Sequence, residues 1–146
     1  MFEAAEVAHG VTRARYRREE PKLRQALLAA QYRLLEKPDF PLLILVGGYD
    51  GAVKGETVNL LTEWMDPRHI RTEAFGLSGS AWEGGRPEMW RFWQVLPPRG
   101  TIGIFFGSWY TDPLVRRAEG MMKRAGFERR LETIRHFERM LVAEGA

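Results

Sequence analysis

A glycine-rich segment containing a lysine follows a continuous apolar run of the sequence. The apolar run is Leu42–Val46, and the segment after it contains Gly48, Gly51, Lys54 and Gly55. Glycines let consecutive backbone N–H groups point at phosphate oxygens, and the N-terminus of a following helix adds partial positive charge. A lysine at the end of such a loop neutralises the terminal phosphates. We therefore predict a phosphate-binding loop here.

This loop matches the Walker A pattern only in part. Gly48 and Lys54 have the expected spacing, whereas Val53 stands in place of the second glycine and Gly55 in place of the magnesium-binding hydroxyl residue. A β-branched residue such as Val53 also resists the positive φ values that glycine supplies. An ordinary glycine-rich turn between a strand and a helix therefore stays open as the alternative.

Strand and helix patterns alternate along the chain. The predicted strands cover residues 42–46, 69–75 and 101–106, and the predicted helices cover residues 12–36, 56–65, 87–95, 114–123 and 127–142. Alternation of this kind predicts an α/β fold with a parallel sheet and flanking helices. Pro21 leaves two interpretations of the first helix, because it either lies inside one helix or begins a second helix after a basic arm.

The length and composition indicate one folded domain. The 146 residues are 45% hydrophobic and 28% charged, which excludes disordered and collagen-like sequence. We predict a basic helical segment over residues 1–40 and an α/β core over residues 41–146. The chain has no cysteine, and its three histidines are too scattered to indicate a metal site. Because neither a membrane span nor a secretory leader pattern is present in the sequence, we expect a cytoplasmic protein.

Arginine dominates the positive charge. Of the 22 basic residues only four are lysine, and the formal net charge is +3. The densest basic group lies in the first predicted helix: Arg13, Arg15, Arg17, Arg18, Lys22 and Arg24. Guanidinium groups bind phosphates bidentately, so this group could contact polyphosphate or nucleic acid. A solvated helix face, with Glu19 and Glu20 interleaved, is the alternative.

Several motifs resemble those of the polyphosphate kinase 2 family. Residues 48–55 resemble the family's phosphate loop, Gly-x-Asp-x-x-Gly-Lys-Gly, with Asp50 at its aspartate. Residues 66–68, Asp-Pro-Arg, resemble the Asn/Asp-Pro-Arg at the end of the next helix. Residues 108–110, Ser-Trp-Tyr, resemble the centre of the family motif Asp-Arg-Ser-Trp-Tyr-Asn-Arg. The matches follow in order over nearly the whole chain.

This resemblance implies a P-loop kinase-like fold similar to that of thymidylate kinase. It also implies Mg²⁺-dependent phosphate transfer between inorganic polyphosphate and AMP or ADP. In it, Asp50 and Lys54 are the catalytic residues, Asp50 is the metal ligand, and Gly48, Gly51, Lys54 and Gly55 bind phosphate. The chain looks most like the N-terminal copy in two-domain polyphosphate:AMP phosphotransferases. A sheet of this class has the strand order 2-3-1-4-5.

With only three strands present, residues 42–46 would form an apolar edge of that sheet. Such an edge invites pairing with another chain, so we expect self-association or a second copy of the fold as partner.

The same resemblance shows where the chain departs from the family. Phe106 stands at the position of the metal-binding aspartate, Gly107 at the first arginine and Asp112 at the second. Phosphoryl transfer needs carboxylates that hold Mg²⁺ and cations on the transferring group. We therefore predict a domain of a polyphosphate-dependent nucleotide phosphotransferase that is catalytically degenerate. The alternative is a non-catalytic binding or assembly module that supports an active copy, and we do not expect nucleic acid as the partner.

Overall fold

The computed structural model describes residues 10–48, 54–77 and 87–146. The helices in these residues are α1 (Arg13–Glu36), α2 (Lys54–Trp64), α3 (Trp90–Trp93), α4 (Thr111–Ala118) and α5 (Arg124–Ala143), with a 3-10 helix at Pro67–His69. The strands are β1 (Leu42–Val46), β2 (Ile70–Ala74) and β3 (Ile102–Phe106). Within the described ranges, none of the helices is long and apolar enough to cross a membrane.

The three strands form one parallel sheet in the order β1-β3-β2. Leu42 and Ile70 are both in register with Ile102, so the three strands begin and end together. The first four residues of β3 are buried, as expected for a central strand that is covered on both faces. The predicted α/β fold is therefore confirmed, and β1 lies at an edge of the described sheet.

Each face of the sheet has its own apolar core. One core joins α5 to aromatic side chains on and around β3: Phe92, Phe105, Trp109, Ile134, Phe137 and Leu141. The other joins α1 and α2 to the sheet: Leu34, Val58, Met65, Ile102 and Ile104. In the first core the Trp109 ring makes edge-to-face contacts with the rings of Phe92 and Phe137, a favoured aromatic geometry. The end of β3 is thereby fixed against α5.

The helix boundaries differ from the sequence predictions at proline and glycine. α1 runs through Pro21 without a break, so the interpretation as a separate helix starting there is wrong. Pro21 lacks the N–H that would bond the Arg17 carbonyl, and the helix tolerates this loss where both residues are exposed. The helix predicted over residues 114–123 is shifted to Thr111–Ala118, and Gly120 follows it with a φ of 72°, in the left-handed region that often closes helices.

The Asp-Pro-Arg motif at residues 66–68 forms a structural junction between α1 and the start of β2. The Asp66 carboxylate accepts a hydrogen bond from the Arg68 backbone N–H at 3.1 Å and forms an ion pair with the Arg68 guanidinium at 2.6 Å. The buried side chain of Gln31 on α1 donates to the Asp66 carbonyl at 2.9 Å and accepts from the Asp66 N–H at 2.7 Å. The Tyr32 hydroxyl donates to the same carboxylate. The junction therefore joins α1 to the chain that enters β2.

Because of this junction, we expect the stability of the fold to fall at acidic pH. The Arg68 guanidinium hydrogen-bonds the Asp66 carboxylate and holds its pKa well below the usual value of 3.8. A carboxyl group with a lowered pKa stabilises the fold above its unfolded pKa and loses that contribution as the pH falls through its folded pKa. We expect Asp66→Asn to lower the urea midpoint equally from about pH 5 to pH 8, and by less below about pH 4. A difference between the two proteins that stays constant in acid would contradict this assignment.

Candidate functional site

The described residues on the two sides of the predicted phosphate loop are Gly48 and Lys54. A strand precedes the loop and a helix follows it, as predicted, although α2 begins at Lys54, two residues before the predicted start. Gly55 lies in the first turn of α2 and is exposed. Asp50 and Gly51 lie outside the described residues, so their placement stays a prediction.

The Lys54 side chain contacts both Gly48, at the start of the predicted phosphate loop, and Phe106 at the end of β3. Its ammonium donates a hydrogen bond to the Gly48 carbonyl at 2.7 Å. The same ammonium lies 5.8 Å from the centre of the Phe106 ring, within the range of a cation–π contact. The family pattern has a carboxylate at the position of Phe106, and here the lysine faces an aromatic ring instead.

The backbone at the end of β3 leaves no room for a side chain at Gly107. The Gly107 N–H donates to the Val46 carbonyl at 2.9 Å, and the Phe75 N–H donates to the Phe106 carbonyl at 2.9 Å. Gly107 has a φ of 82°, and a Cβ at this position would overlap the carbonyl oxygen of Phe75. Glycine tolerates both constraints because it has no Cβ. The position where the family has an arginine is therefore one where this chain accommodates only glycine.

Gly107→Ala should destabilise the fold. We expect a loss of about 2 kcal/mol in the free energy of unfolding, because a left-handed φ is costly for residues with a Cβ and the overlap adds to that cost. Gly47→Ala is the matched control, since a Cβ at Gly47 would meet no atom within 4 Å. Urea unfolding of both variants measures the difference. Equal losses would show that the turn at Gly107 accommodates a side chain.

The Ser-Trp-Tyr motif at residues 108–110 is packed into the protein. Ser108 and Trp109 are buried, and the Ser108 hydroxyl accepts a hydrogen bond from the Tyr110 backbone N–H. The Trp109 indole N–H and the Tyr110 hydroxyl both donate to one carboxylate oxygen of Glu138 on α5, at 2.9 and 2.8 Å. Burial and the Glu138 carboxylate raise the pKa of Tyr110 from 10 to about 12, so its hydroxyl stays a donor into the alkaline range. The motif thus positions the turn after β3 against α5.

Asp112 is the buried carboxylate of an ion-pair network whose other members are partly exposed. Its side chain is only 6% exposed, and one carboxylate oxygen accepts a hydrogen bond from the Arg116 guanidinium at 2.9 Å. The other carboxylate oxygen lies 3.6 Å from the guanidinium of Arg130 on α5, which also pairs with Glu88. Burial lowers the pKa of Arg130. The acidic residue at the position of the family's second arginine therefore neutralises cations of this chain instead of offering a cation to a phosphate.

Sequence reasoning missed Glu138, Arg130 and Glu88. Arg130 and Glu138 lie on a helix that carries charges of both signs on several faces, so the sequence does not show which charges face inward. The one available signal was indirect. A buried tryptophan N–H or tyrosine hydroxyl needs an acceptor, so some acceptor near Trp109 and Tyr110 is expected, but its identity as Glu138 is not.

The described side chains around Lys54 do not fit a magnesium ion. Mg²⁺ is held by carboxylate and phosphate oxygens, whereas Lys54 is a cation and Phe106 has no donor atom. In the parts of the chain that the structure describes, no group of three or more acidic or histidine side chains could hold a metal. Asp50, the predicted ligand, lies outside those parts, and Mg²⁺ binding at this residue stays a prediction.

A parallel sheet whose first strand is followed in the sequence by a glycine-containing segment and then by a helix that begins with lysine is typical of P-loop kinase-like proteins. Comparison with protein families makes the assignment specific. The chain belongs to the polyphosphate kinase 2 family, whose model, described as polyphosphate kinase 2 (PPK2), matches residues 10–146. The resemblance found in the motifs is therefore confirmed.

Individual relatives agree with this assignment. A polyphosphate:AMP phosphotransferase from Pseudomonas aeruginosa is 49% identical over all 146 residues of the chain, which span 29% of that relative. A Pseudomonas aeruginosa crystal structure assigned to polyphosphate kinase 2 matches with a TM-score of 0.90 and 49% identity, over 100% of this chain and 31% of that chain. The polyphosphate kinase 2 structure from Arthrobacter aurescens matches with a TM-score of 0.85 and 27% identity, over 99% of this chain and 54% of that chain. The chain thus spans less than a third of the Pseudomonas relatives.

Proposed function

We propose that the chain is one domain of a polyphosphate-dependent nucleotide phosphotransferase acting on AMP or ADP, and that this domain is catalytically degenerate. Family membership and the similarity to a polyphosphate:AMP phosphotransferase support the first part. The resemblance to the N-terminal copy of two-domain members supports an arrangement in which another copy of the fold performs the transfer. A cytoplasmic location and pairing with a second copy stay predictions from the sequence.

In this proposal the loop between β1 and α2 binds phosphate. The Lys54 ammonium and the backbone N–H groups of Gly48, Gly51 and Gly55 contact the phosphate oxygens, and Asp50 holds Mg²⁺ or the acceptor. The position of Lys54 at the start of α2 supports this role, because the partial positive charge of a helix N-terminus adds to that of the ammonium. To reach a phosphate, the ammonium exchanges its hydrogen bond to the Gly48 carbonyl for one to the anion.

The observation that carries the degeneracy is the arrangement at the end of β3. The Phe106 ring lies beside Lys54, and the backbone at Gly107 excludes a side chain. Asp112 adds a negative charge that is bound to Arg116 and Arg130. The end of β3 therefore presents neither a metal-binding carboxylate nor a cation to a transferring phosphoryl group.

The experiment that tests this proposal is a phosphoryl-transfer assay. The 146-residue chain is incubated with polyphosphate, Mg²⁺ and AMP or ADP, and the formation of ADP or ATP is followed beside that of a complete family member. Turnover that is far slower than that of the complete member supports a degenerate domain. Turnover at a similar rate would show that the site at Lys54 is active.

A further inference from the structure

The N-terminal half of α1 concentrates the positive charge of the molecule. Residues 13–24 contain six basic residues and two glutamates, so this stretch carries a net charge of +4, whereas the whole chain carries +3. Residues 13–18 and 21–26 of this helix are exposed. The net positive charge of residues 13–24 is therefore exposed to solvent along one segment of the helix.

Most of these cations lack an acidic partner in the described part of the chain. Arg15 pairs with Glu19 at 2.8 Å, and Arg24 pairs with Glu63 on α2 at 3.7 Å. The remaining four cations form no ion pair with the described residues: Arg13, Arg17, Arg18 and Lys22. We call these four residues the basic helix surface. Of these cations Arg15 alone pairs with Glu19, and a solvated helix face with Glu19 and Glu20 interleaved stays the alternative.

The spacing of the four residues favours an extended anion. Arg13 and Arg17, and likewise Arg18 and Lys22, lie four residues apart, which makes each pair neighbours on the helix surface. Like charges at this spacing repel each other, and an anion that contacts both members of a pair removes the repulsion. Lys22 lies nine positions after Arg13, about 14 Å along the helix, and the second pair is turned by about 140° from the first, so a polyanion that contacts both pairs follows the helix around as it rises.

We propose that the basic helix surface binds inorganic polyphosphate at a place separate from the loop at Lys54. The proposal rests on the proposed function for the choice of polyanion. Three of the four residues are arginines, whose planar guanidinium groups bind phosphate oxygens bidentately. An exposed aromatic residue, Tyr16, lies on the same helix between Arg13 and Arg17, and surfaces that bind single-stranded nucleic acid combine cations with aromatic rings, so the choice of polyphosphate rests on the proposed function alone. In this proposal the basic helix surface holds part of a polyphosphate chain by charge, and the end of that polyphosphate chain stays free to bind at another place.

The test compares polyphosphate binding by two charge-matched variants of the 146-residue chain. The first variant changes Arg13, Arg17, Arg18 and Lys22 to Gln, which preserves helix propensity. The control variant changes four other exposed cations to Gln: Arg71, Lys123, Arg129 and Arg139. Binding of long-chain polyphosphate is measured by calorimetry between about 50 and 200 mM salt, the range over which phosphate contacts weaken steeply. Circular dichroism checks that both variants remain folded.

We expect the first variant to lose at least about tenfold in affinity at low salt, and the slope of log K against log salt to become shallower by about three, as the loss of four phosphate contacts requires. The control should bind within about twofold of the unchanged chain. Equal losses in the two variants, or no loss in the first, would overturn the proposal. A single-stranded oligonucleotide of matched charge that binds more tightly than polyphosphate would assign the surface to nucleic acid.

Lys54→Ala separates this inference from the proposed function. If Lys54→Ala abolishes polyphosphate binding and the first variant binds normally, polyphosphate binds at the loop alone. That result would overturn the inference and leave the proposed function standing. If Lys54→Ala leaves most of the binding intact and the first variant loses it, the two places are distinct.

Discussion

Supplied with long-chain polyphosphate, Mg²⁺ and AMP or ADP, the 146-residue chain is expected to form product at least about 10²–10³ times more slowly than a complete family member. Phosphoryl transfer depends on charges that are in place before the transition state forms. Removing one such preorganised contact lowers kcat by about 10²–10³. Three such contacts of the family pattern are missing at the end of β3 and in the first turn of α4, because Phe106, Gly107 and Asp112 replace an aspartate and two arginines.

The three losses should compound without being additive, since the groups act on one cluster of charge. Phe106→Asp tests this point directly. It restores the carboxylate beside Lys54 but not the arginine at Gly107, whose φ of 82° and contact with the Phe75 carbonyl exclude a side chain. We therefore expect Phe106→Asp to remain at least about 10²-fold slower than a complete family member.

Lys54→Ala is the control that distinguishes residual turnover at the loop of this chain from turnover by a contaminating enzyme. Residual turnover that is unchanged by Lys54→Ala does not come from this loop and agrees with a degenerate domain. Turnover close to that of a complete member, abolished by Lys54→Ala, would show that the loop at Lys54 works without the three missing groups. The assay reports ADP or ATP, so it distinguishes AMP from ADP as the acceptor.

The sequence predicted the sheet well because its strands carry a strong local signal. β1 and β3 are short, almost continuously apolar runs followed by glycine, which is typical of strands buried on both faces of a parallel sheet. β2 alternates polar and apolar residues, and it was predicted one residue too long at each end. α1 was less certain because Pro21 is a local signal for a break, whereas the packing of Leu27 and Leu34 on the sheet keeps the helix in place.

The candidate site could be predicted only as far as its motifs. The departures at Phe106 and Gly107 were visible in the sequence, but the reason why Gly107 excludes a side chain lies in the Phe75 carbonyl, 32 positions earlier in the chain. The Asp-Pro-Arg motif gave no local indication that its backbone pairs with Gln31 on α1. Such contacts depend on tertiary packing between distant residues, and a local pattern does not encode them.

Removing the Asp112 carboxylate should cost far more stability than removing a surface charge. Asp112 is nearly buried and faces the guanidinium groups of Arg116 and Arg130, so Asp112→Ala removes an anion that both of these partly desolvated cations contact. Breaking a buried pair from one side costs about 3–5 kcal/mol, and since the Arg116 and Arg130 side chains are 33% and 27% exposed we expect the lower end, about 3 kcal/mol. Urea unfolding measures the loss. Glu128→Ala is the matched control, because Glu128 pairs with Arg124 at the same i,i+4 spacing but both side chains are more than half exposed. That control should cost less than about 0.5 kcal/mol.

A double variant tests why Asp112→Ala lowers the free energy of unfolding: because a partly desolvated cation loses an anion, or because packing is lost. Asp112→Leu together with Arg130→Met replaces both members of this ion pair by apolar side chains. Proteins in which a buried ion pair is replaced in this way often lose little stability. We expect the double variant to recover part of the loss caused by Asp112→Ala, because the partly desolvated Arg130 cation is removed, whereas the partly buried Glu88 then loses its pairing with Arg130. If the double variant is as unstable as Asp112→Ala, the carboxylate contributes through packing at the first turn of α4. If Asp112→Ala costs no more than Glu128→Ala, the network does not stabilise the turn after β3, and the acidic residue at this position has no structural role in the fold.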